Sequence, residues 1–300
     1  MDRMIKSAIK LFKFTAKKIL RQILGMKYYT KLIFWVVHGY YLNLGNPRSL
    51  SEKINWIKLN CNLESLAPFV DKYDVRNFVK KRVGEKYLVP IIGIYDHFDQ
   101  IDFHSLPQAF AMKATHGWNW NILVKDKYQI DWSAARAQMN KWLKLNYYNT
   151  NLEAVYKNLK GRIIIEELLQ DSSGDLKDFK FYCCNGVPRG AHVDFHRYGN
   201  HQYRVYDAQW NEFIKTNLKE NPPPVIPKPV KLEELLDICR KLSRGFSFVR
   251  VDLYYTDGRI YFGEMTFTPG DGLEVFDPVK SDFYLGEAFN VKNYTNSPGN

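Results

Sequence analysis

The chain has few cysteines and no long apolar run, and both absences narrow what it can be. The longest apolar candidate, Leu32–Val37, ends at His38-Gly39, far short of the about 18–20 residues that a membrane-spanning helix needs. The cysteines show neither CxxC nor Cys/His ligand spacing, which is most simply explained by free thiols in a reducing cytosol; they are Cys61, Cys183, Cys184 and Cys239. No internal repeat or low-complexity segment is present. We therefore expect a globular cytoplasmic protein.

The net charge is +11, but outside one end of the chain the basic and acidic residues nearly balance. Residues 1–31 hold nine basic side chains and one acidic one, a balance of +8. The remaining 269 residues hold 34 basic and 31 acidic side chains, only +3. A broad basic surface for nucleic acid is therefore not indicated, and no nucleic-acid partner is expected.

The basic end has the pattern of an amphipathic helix. Apolar residues recur every three or four positions between the lysines; they are Ile5, Ile9, Phe12, Ala16, Ile19 and Ile23. Such a helix can lie on an anionic membrane surface, where each Lys or Arg contributes about 1 kcal/mol. Packing on the body of the protein with solvated lysines is the alternative. Residues 1–31 could therefore hold the protein peripherally at the inner face of the cell membrane.

The rest of the chain mixes helices with β-hairpins, which favours an α+β class with antiparallel sheets. Predicted helices cover Pro47–Asn60, capped by Ser49 or Ser51, Lys72–Val83, Asp131–Tyr147, Leu152–Leu159 and Lys231–Ser243. Predicted strands cover Val89–Tyr95, Ala109–Thr115 and Arg162–Leu168, and a hairpin joins Phe179–Cys184 to Pro188–Phe195 through Asn185-Gly186.

The stretch Phe248–Gly270 predicts a second hairpin, with strands Phe248–Tyr254 and Arg259–Met265 and a Thr-Asp-Gly turn. Alternation places Arg250, Asp252 and Tyr254 on one face of the first strand. On the second strand, alternation places two sets of residues on opposite faces: Tyr261, Gly263 and Met265 on one, and Phe262, Glu264 and Thr266 on the other. Carboxylates from both strands can thus converge beside an arginine. A pair of carboxylates on rigid strands can bind Mg²⁺ when the ion bridges nucleotide phosphates. A cross-strand salt bridge is the simpler alternative.

Two strand lysines are candidates for phosphate binding. Lys113 interrupts the apolar strand AFAMKAT and needs a partner, because burial of an unpaired ammonium is costly. The following loop, His116–Asn121, could present backbone N–H groups to phosphate, although Lys113 could instead face solvent at a sheet edge. Lys180 lies in DFKF, flanked by Asp178. The segment IIIEEL offers a strand edge for adenine, with Glu166 or Glu167 accepting from its amine.

In this order, these segments resemble the nucleotide and metal sites of ATP-grasp enzymes. RVDLY and GEMTFTPG are similar to two metal-site strands of the D-alanine–D-alanine ligase branch. A fuller resemblance, from about Asn46 to Gly286, is to the TupA-like ATP-grasp family of bacterial surface-polysaccharide clusters, and it is carried by SEKINWIK, the segment from Asp71-Lys72-Tyr73 to Arg76, MKATHGWNWN, DFKFYCCNG and VRVDLYYTDGRIYFGEMTFTPGDG.

The resemblance implies a set of site residues. Metal ligands would be Asp252, Glu264 and Thr266, and catalytic residues Arg250 and Lys180. Nucleotide contacts would be Lys113, His116, Gly117, Asn119, Glu166, Glu167, Leu168, Asp178 and Lys180. Two positions depart from the family pattern: Thr266 replaces an Asn, and Trp118-Asn119 replaces a small residue and a second glycine.

The implied fold holds a nucleotide between two α+β subdomains, 46–165 and 166–286, preceded by the basic segment 1–45 and followed by a tail, 287–300. The implied activity is ATP- and Mg²⁺-dependent joining of a carboxylate and an amine through an acylphosphate. Its substrates would be an amino acid or amine and a sugar or glycan acid. Near the Asn185-Gly186 turn, basic residues could bind the acidic donor or could be a solvated strand face; they are Arg189, His192, His196 and Arg197.

Three alternatives stay open at this stage. A nucleotide-sugar glycosyltransferase could use the same carboxylates to hold its metal. The same fold could instead transfer a phosphoryl group to a glycan. A non-catalytic scaffold whose loop no longer closes would bind ATP weakly or not at all.

Overall fold

The computed structural model describes residues 2–174, 176–195, 202–213 and 225–295, with side chains at all of these except 2–16, 18, 150 and 151. Its helices are α1 Asp2–His38, α2 Leu50–Asn60, α3 Ala67–Val70, α4 Val75–Arg82, α5 Trp132–Lys144, α6 Tyr148–Asn151, α7 Leu232–Ser243 and α8 Lys280–Glu287. Its strands are β1 Ile91–Tyr95, β2 Phe110–Ala114, β3 Asn121–Val124, β4 Ile163–Glu167, β5 Asp178–Cys184, β6 Val187–Phe195, β7 Gln202–Asp207, β8 Phe248–Thr256 and β9 Arg259–Thr266.

Two antiparallel sheets organise these elements, and the predicted α+β class is confirmed. The first sheet has the strand order β1-β4-β2-β3 and the second has the order β7-β6-β5-β8-β9. Each sheet has its own apolar core. The smaller core, around Phe110, Met112 and Ile165, is closed by α5. The larger core packs the second sheet against α7 and the N-terminal helices.

The division of the chain between the cores differs from the predicted boundary after residue 165. Leu50 and Ile54 of α2 and Val79 of α4 belong to the larger core with the second sheet, although they precede the first sheet in sequence. Phe289 and Val291, from the predicted tail, are buried in that core as well. The first sheet is therefore an insertion between elements that pack together.

Both predicted hairpins are confirmed, and their turns explain why. Asn185 and Gly186 have φ of 51° and 78°, and Asp257 and Gly258 have φ of 48° and 75°. Two consecutive left-handed residues form the type I′ turn, whose twist matches that of antiparallel strands. Asn, Asp and Gly adopt this conformation at low cost.

A β-bulge changes the predicted faces of β9. Asp252 pairs with Glu264, but the next residue, Leu253, pairs with Phe262, so Gly263 is the extra residue. Phe262 consequently lies in the apolar core rather than beside Glu264. Strict alternation misses this because a bulge inserts one residue and reverses the faces beyond it.

The helix predicted over Leu152–Leu159 is wrong. Only a 3₁₀ turn, Ala154–Tyr156, forms there, because Leu152 ends α6 with a left-handed φ of 63°. The short strands β3 and β7 were not predicted. The other predicted elements are confirmed with ends shifted by a few residues, and Ser49 caps α2 in a reciprocal capping box with Glu52.

Helix α2 holds the segment that follows β9. The side-chain amide of Asn55 donates to the Gly272 carbonyl at 2.7 Å and to the Ser51 carbonyl at 2.9 Å. Lys58 donates to the Asp271 carbonyl at 2.8 Å. The SEKINWIK and TPGDG motifs, more than two hundred residues apart, thus form one structural unit.

Helix α1 bends at Gly25, whose φ and ψ of 71° and 161° are not helical. Its C-terminal part is fixed to the body by Phe34, which is buried and stacks on His38 with ring centroids 4.2 Å apart. Among the residues that the structure describes, no helix is long and apolar enough to cross a membrane.

The contact of Gly272 with Asn55 gives a test of the α2 anchor. In Gly272→Ala, the new methyl would lie 2.5 Å from the Asn55 amide nitrogen at a φ of +68°. We expect a loss of about 2–5 kcal/mol in the free energy of unfolding, measured by urea titration, from backbone strain plus overpacking. The control Gly258→Ala has a similar φ of +75° but open space, and should cost only about 1–2 kcal/mol. Equal losses would contradict the anchor.

Candidate active site

One cross-strand row on the second sheet contains most of the predicted chemistry. Lys180 pairs with His192 on β6 and with Asp252 on β8, and Asp252 pairs with Glu264 on β9. Residues paired across antiparallel strands point to the same side of the sheet. The opposite side carries Phe179 and Phe181, which lie in the large core. The sheet therefore has one apolar face and one ionic face.

Arg250 joins the predicted metal ligands. Its guanidinium donates to both carboxylate oxygens of Asp252 at 2.7 Å, and its Nη2 lies 3.2 Å from Glu264 Oε1 and 3.1 Å from Thr266 Oγ1. The Thr266 hydroxyl also lies 3.2 Å from Glu264 Oε1. Burial disfavours the charged guanidinium, but Asp252, Tyr182 and Glu264 together outweigh this effect and raise the pKa of Arg250. The structure thus brings these four predicted residues together.

A second ionic group surrounds Lys180. Its ammonium contacts Asp194 and lies 3.0 Å from Asp178. His192 lies between two acids, 2.9 Å from Asp194 and 3.0 Å from Glu274. Burial lowers the pKa of His192; Glu274 opposes this shift, and Lys180 and Arg250 add to it. Burial works against the charge of Glu274, yet the hydrogen bond and charge of His192, together with Arg250 and Lys180, hold the pKa of Glu274 at about 2.

The donor chemistry of this face fits Mg²⁺. The two groups combine five carboxylates, Asp178, Asp194, Asp252, Glu264 and Glu274, with only two fixed cations, Lys180 and Arg250. Burial raises the pKa of Asp252 to about 7, although Arg250 opposes the shift. A divalent cation would relieve this excess of negative charge. Asp252, Glu264 and Thr266 would hold it through hard oxygen atoms, the ligands that Mg²⁺ prefers.

Within the described residues, no group of three or more His, Cys, Asp or Glu side chains is arranged to hold a metal ion. Mg²⁺ does not need such a cage, because one or two carboxylates with substrate phosphates and water complete its coordination. The pair Asp252 and Glu264 is sufficient on this account only when a phosphate is present.

The ionic face forms part of a cavity of about 1470 Å³. This volume exceeds the roughly 300–1,000 Å³ of a typical ligand pocket, so a nucleotide and a second substrate can be held together. Walls come from α1, α2, the loop after β2 and the chain between α5 and β4; cavity-lining residues on these walls include Arg21, Lys58, Asn119, Tyr148 and Glu153.

Lys113 has a protein partner where the sequence suggested a phosphate. Its ammonium lies 2.6 Å from Glu166 Oε2, and Arg76 lies 2.9 Å from the other oxygen of the same carboxylate. Glu166 therefore bridges two cations. A phosphate that binds Lys113 must share it with this carboxylate or displace it.

Lys72 is a third cation near these groups, and the sequence did not identify it as a site residue. Its ammonium donates to the Gly117 carbonyl. Burial lowers the pKa of Lys72 to about 8; Glu264 opposes this shift, whereas Lys113 adds to it. Lys72 thus couples electrostatically to the first sheet and to the metal-ligand strand at once.

The other predicted nucleotide contacts are placed differently. His116 is buried, and its Nε2 lies 3.2 and 3.1 Å from the carbonyls of Trp142 and Leu145 at the end of α5. Asn119, with a φ of 56°, lines the cavity. Strand β4 is paired on both sides, by β1 and β2, so IIIEE is not an edge. Backbone available to adenine can begin only beyond the exposed Glu167, near Leu168.

The predicted substrate residues separate. His192 lines the cavity, whereas Arg189 is not among the lining residues and lies 5.5 Å from the ring centre of Tyr284 on α8. Arg189 is the extra residue of a β-bulge, because Tyr182 pairs with Gly190 and Cys183 with Pro188, so alternation along β6 is interrupted at this position. His196 and Arg197 lie outside the described residues.

Sequence reasoning missed four acidic residues that line the cavity: Glu153, Asp194, Asp271 and Glu274. Alternation from His192 would have found Asp194, two residues further along the same strand. Glu153 falls in the stretch misassigned to a helix. Glu274 follows the TPGDG motif, in a segment without regular periodicity.

Glu153 is a buried carboxyl group whose protonated and ionised forms are both populated near pH 7. It accepts a hydrogen bond from the Thr268 hydroxyl at 2.8 Å. Burial and Asp271 raise the pKa of Glu153 to about 7, against opposition from Thr268 and Lys58. The folded protein therefore binds this proton more tightly than the unfolded chain, whose value is 4.5.

The stabilisation from this proton is complete below about pH 4.5 and is lost as the pH rises through about 7. Glu153→Gln removes the titration, so the variant should gain stability over the wild type between about pH 5 and pH 8, by up to about 3 kcal/mol. Urea unfolding at both pH values measures this. The control Glu167→Gln makes the same substitution at an exposed side chain and so measures its effect without burial. A Glu153→Gln difference that is the same at both pH values would contradict the assignment.

Comparison with solved structures finds ATP-grasp ligases at low sequence identity. The D-alanine–D-alanine ligase of Helicobacter pylori is 14% identical over 74% of this chain and 61% of its own, with a TM-score of 0.41. The Bacillus anthracis D-alanine–D-alanine ligase complexed with ATP is 14% identical over 73% of this chain and 61% of its own, with a TM-score of 0.44. The ATP-grasp ligase PsnB, complexed with a precursor variant, Mg and ADP, is 11% identical over 78% and 61%, with a TM-score of 0.42.

The chain thus spans about three fifths of the length of these ligases. Comparison with curated protein sequences gave no match. The family described as TupA-like ATPgrasp matches residues 52–290, which include both sheets and the whole ionic face. The chain is therefore a member of the TupA-like ATP-grasp family.

Proposed function

We propose that the protein is an ATP- and Mg²⁺-dependent carboxylate–amine ligase. It joins an amino acid or amine to a sugar carboxylate of a bacterial surface polysaccharide or of its precursor. The observation that carries the proposal is the row Lys180, Asp252 and Glu264, of which Lys180 and Glu264, together with Arg250, line a cavity large enough for two substrates. Family membership supports ATP as the co-substrate.

The reaction has two steps that this face can serve. A carboxylate oxygen attacks the γ-phosphorus of ATP, ADP leaves, and an acylphosphate forms. An amine then attacks the acyl carbon, an amide bond forms, and phosphate leaves with the electron pair of the broken C–O bond. Both steps move negative charge on phosphate oxygens, so fixed cations and positioning supply most of the rate.

Each residue of the row has a part that follows from its surroundings. Arg250 is held by Asp252 and directed toward Glu264 and Thr266, where it can meet the transferred phosphate. Lys180 provides the second fixed cation. Mg²⁺, when bound by Asp252, Glu264 and Thr266, neutralises phosphate charge. Lys113 and Lys72 supply positive charge from the side of the first sheet.

A decisive test combines ATP, Mg²⁺ and a panel of sugar acids and amines, following ADP and product mass. Asp252→Asn and Glu264→Gln should each reduce ADP release at least about 100-fold, because each removes a carboxylate that binds the metal. Circular dichroism and thermal melting should show folded variants.

The matched control is Asp282→Asn. Asp282 is a buried aspartate on α8 that accepts from the Ser51 N–H at 2.9 Å, and it lies outside the row formed by β5, β8 and β9. This variant should keep turnover close to that of the wild type. Unchanged turnover in either metal-ligand variant would reject the site assignment.

Product mass separates this proposal from the alternatives. An amide product has lost water relative to the acid and amine, whereas a phosphotransferase product retains phosphate. A glycosyltransferase would consume a nucleotide-sugar without any dependence on ATP.

A further inference from the structure

The outer side of α1 exposes an apolar stripe that the fold does not bury. Ile19 and Ile23 are 50% and 74% exposed. In sequence they continue the three- and four-residue spacing of Ile5, Ile9, Phe12 and Ala16. A helix with so regular a stripe normally packs it against something, and Ile19 and Ile23 are left open to solvent.

Aromatic side chains extend this surface beyond the bend at Gly25. Tyr28, Trp35 and Tyr41 are all exposed, Tyr41 by 82%. The rings of Trp35 and Tyr41 stack with centroids 6.2 Å apart, so they form one patch. Phe34, next to Trp35 in sequence, is fully buried. The exposed rings here belong to Trp and Tyr, whereas the neighbouring Phe is buried. Trp and Tyr at the surface are typical of a membrane interface.

Charge identifies the occupant of this surface. Lys27 and Lys31 lie on the same helix as the aromatic rings, within a segment whose balance is +8 over residues 1–31. A second copy of the chain would bring the same charge and be repelled. An anionic bilayer would attract the lysines and accept the apolar side chains. Because α1 is not a spanning helix, it would lie along the bilayer surface.

The same helix forms a wall of the candidate active site. Lys17, Arg21, Tyr29 and Ile33 line the cavity. At about 3.6 residues per turn, Ile19 and Ile23 fall on the side of the helix away from Lys17 and Arg21. Helix α1 therefore has one side toward the cavity and the other toward solvent.

We propose that the outer side of α1, formed by Ile19, Ile23, Tyr28 and Trp35 with Lys27 and Lys31, together with Tyr41 just beyond the helix, docks on an anionic lipid bilayer. A substrate anchored in the same leaflet then reaches the cavity along α1, where Lys17 and Arg21 meet its anionic head group. This second part rests on the proposed ligase function, whereas docking itself does not.

Docking is tested with full-length protein and sedimented vesicles, without ATP or substrate. Vesicles contain phosphatidylcholine with about one third phosphatidylglycerol, the anionic component. We expect the wild type to bind these vesicles and to bind pure phosphatidylcholine much more weakly. The triple variant Tyr28→Ser, Trp35→Ser, Tyr41→Ser should bind at least about tenfold more weakly. Lys27→Gln with Lys31→Gln should also weaken binding, by about fivefold for each charge removed.

The matched control is Tyr128→Ser, which removes an equally exposed tyrosine (81%) far from α1 in sequence; it should bind like the wild type. Wild-type protein that ignores anionic vesicles would overturn docking, and so would undiminished binding by the triple variant. Light scattering tests the alternative occupant. If the wild type is a dimer and the triple variant is a monomer, the surface binds a second copy of the chain instead of a bilayer.

Delivery is tested with one sugar acid that supports ADP release, supplied free in solution and attached to a lipid in the same vesicles. The triple variant should keep wild-type turnover of the free acid and lose at least about tenfold on the anchored acid. Equal effects on both acids would overturn delivery. A protein that docks but releases no ADP with any acid would leave docking standing and refute the ligase function.

Discussion

The pairing register of β5, β8 and β9 is the constraint on which the candidate site depends. It sets Lys180, Asp252 and Glu264 side by side on one face, and the bulge at Gly263 keeps Glu264 there while returning Phe262 to the core. A shift of one residue in this register would exchange the ionic and apolar faces. The apolar face, packed on α7, therefore fixes the chemistry of the other: burial of the core fixes the register, and the register positions the charges.

The ionic face is itself a compromise between burial and charge. An isolated buried carboxylate is unfavourable, and Asp252 is tolerated because Arg250 binds both of its oxygens. Even so, carboxylates outnumber fixed cations on the ionic face, and burial still raises the pKa of Asp252 to about 7. An apolar replacement would fold more easily. Retention of this many unbalanced charges in one place is typical of a functional site rather than of a structural ion pair.

Local patterns predicted much of this structure, and long-range contacts account for what they missed. The Asn185-Gly186 and Asp257-Gly258 turns determine their hairpins, so the faces of β5 and β8 followed from sequence. No local pattern shows that Glu166 neutralises Lys113, because the pair comes from strands fifty-three residues apart. The same holds for α2, whose contacts with the Gly272 segment decide that the first sheet is an insertion. The helix predicted near Glu153 does not form because Leu152 is left-handed, and Glu153 makes a tertiary hydrogen bond with Thr268.

The cations near the first sheet are Lys113 on β2, Arg76 on α4 and Lys72 just before α4. They are paired differently from Lys180 and Arg250, and this difference bears on how a nucleotide would bind. Lys113 and Arg76 share one carboxylate, Glu166, so a phosphate reaching Lys113 competes with a bond that already exists. Lys72 donates to a neutral carbonyl, that of Gly117. A phosphate can replace this acceptor more easily than it can replace Glu166 at Lys113, because no ion pair is broken. Because burial lowers the pKa of Lys72, an approaching anion would also raise that pKa again and favour the charged ammonium. Lys72 interacts electrostatically with Glu264 as well, so the cation that phosphate recruits most readily is also the one that links the first sheet to the metal-ligand strand.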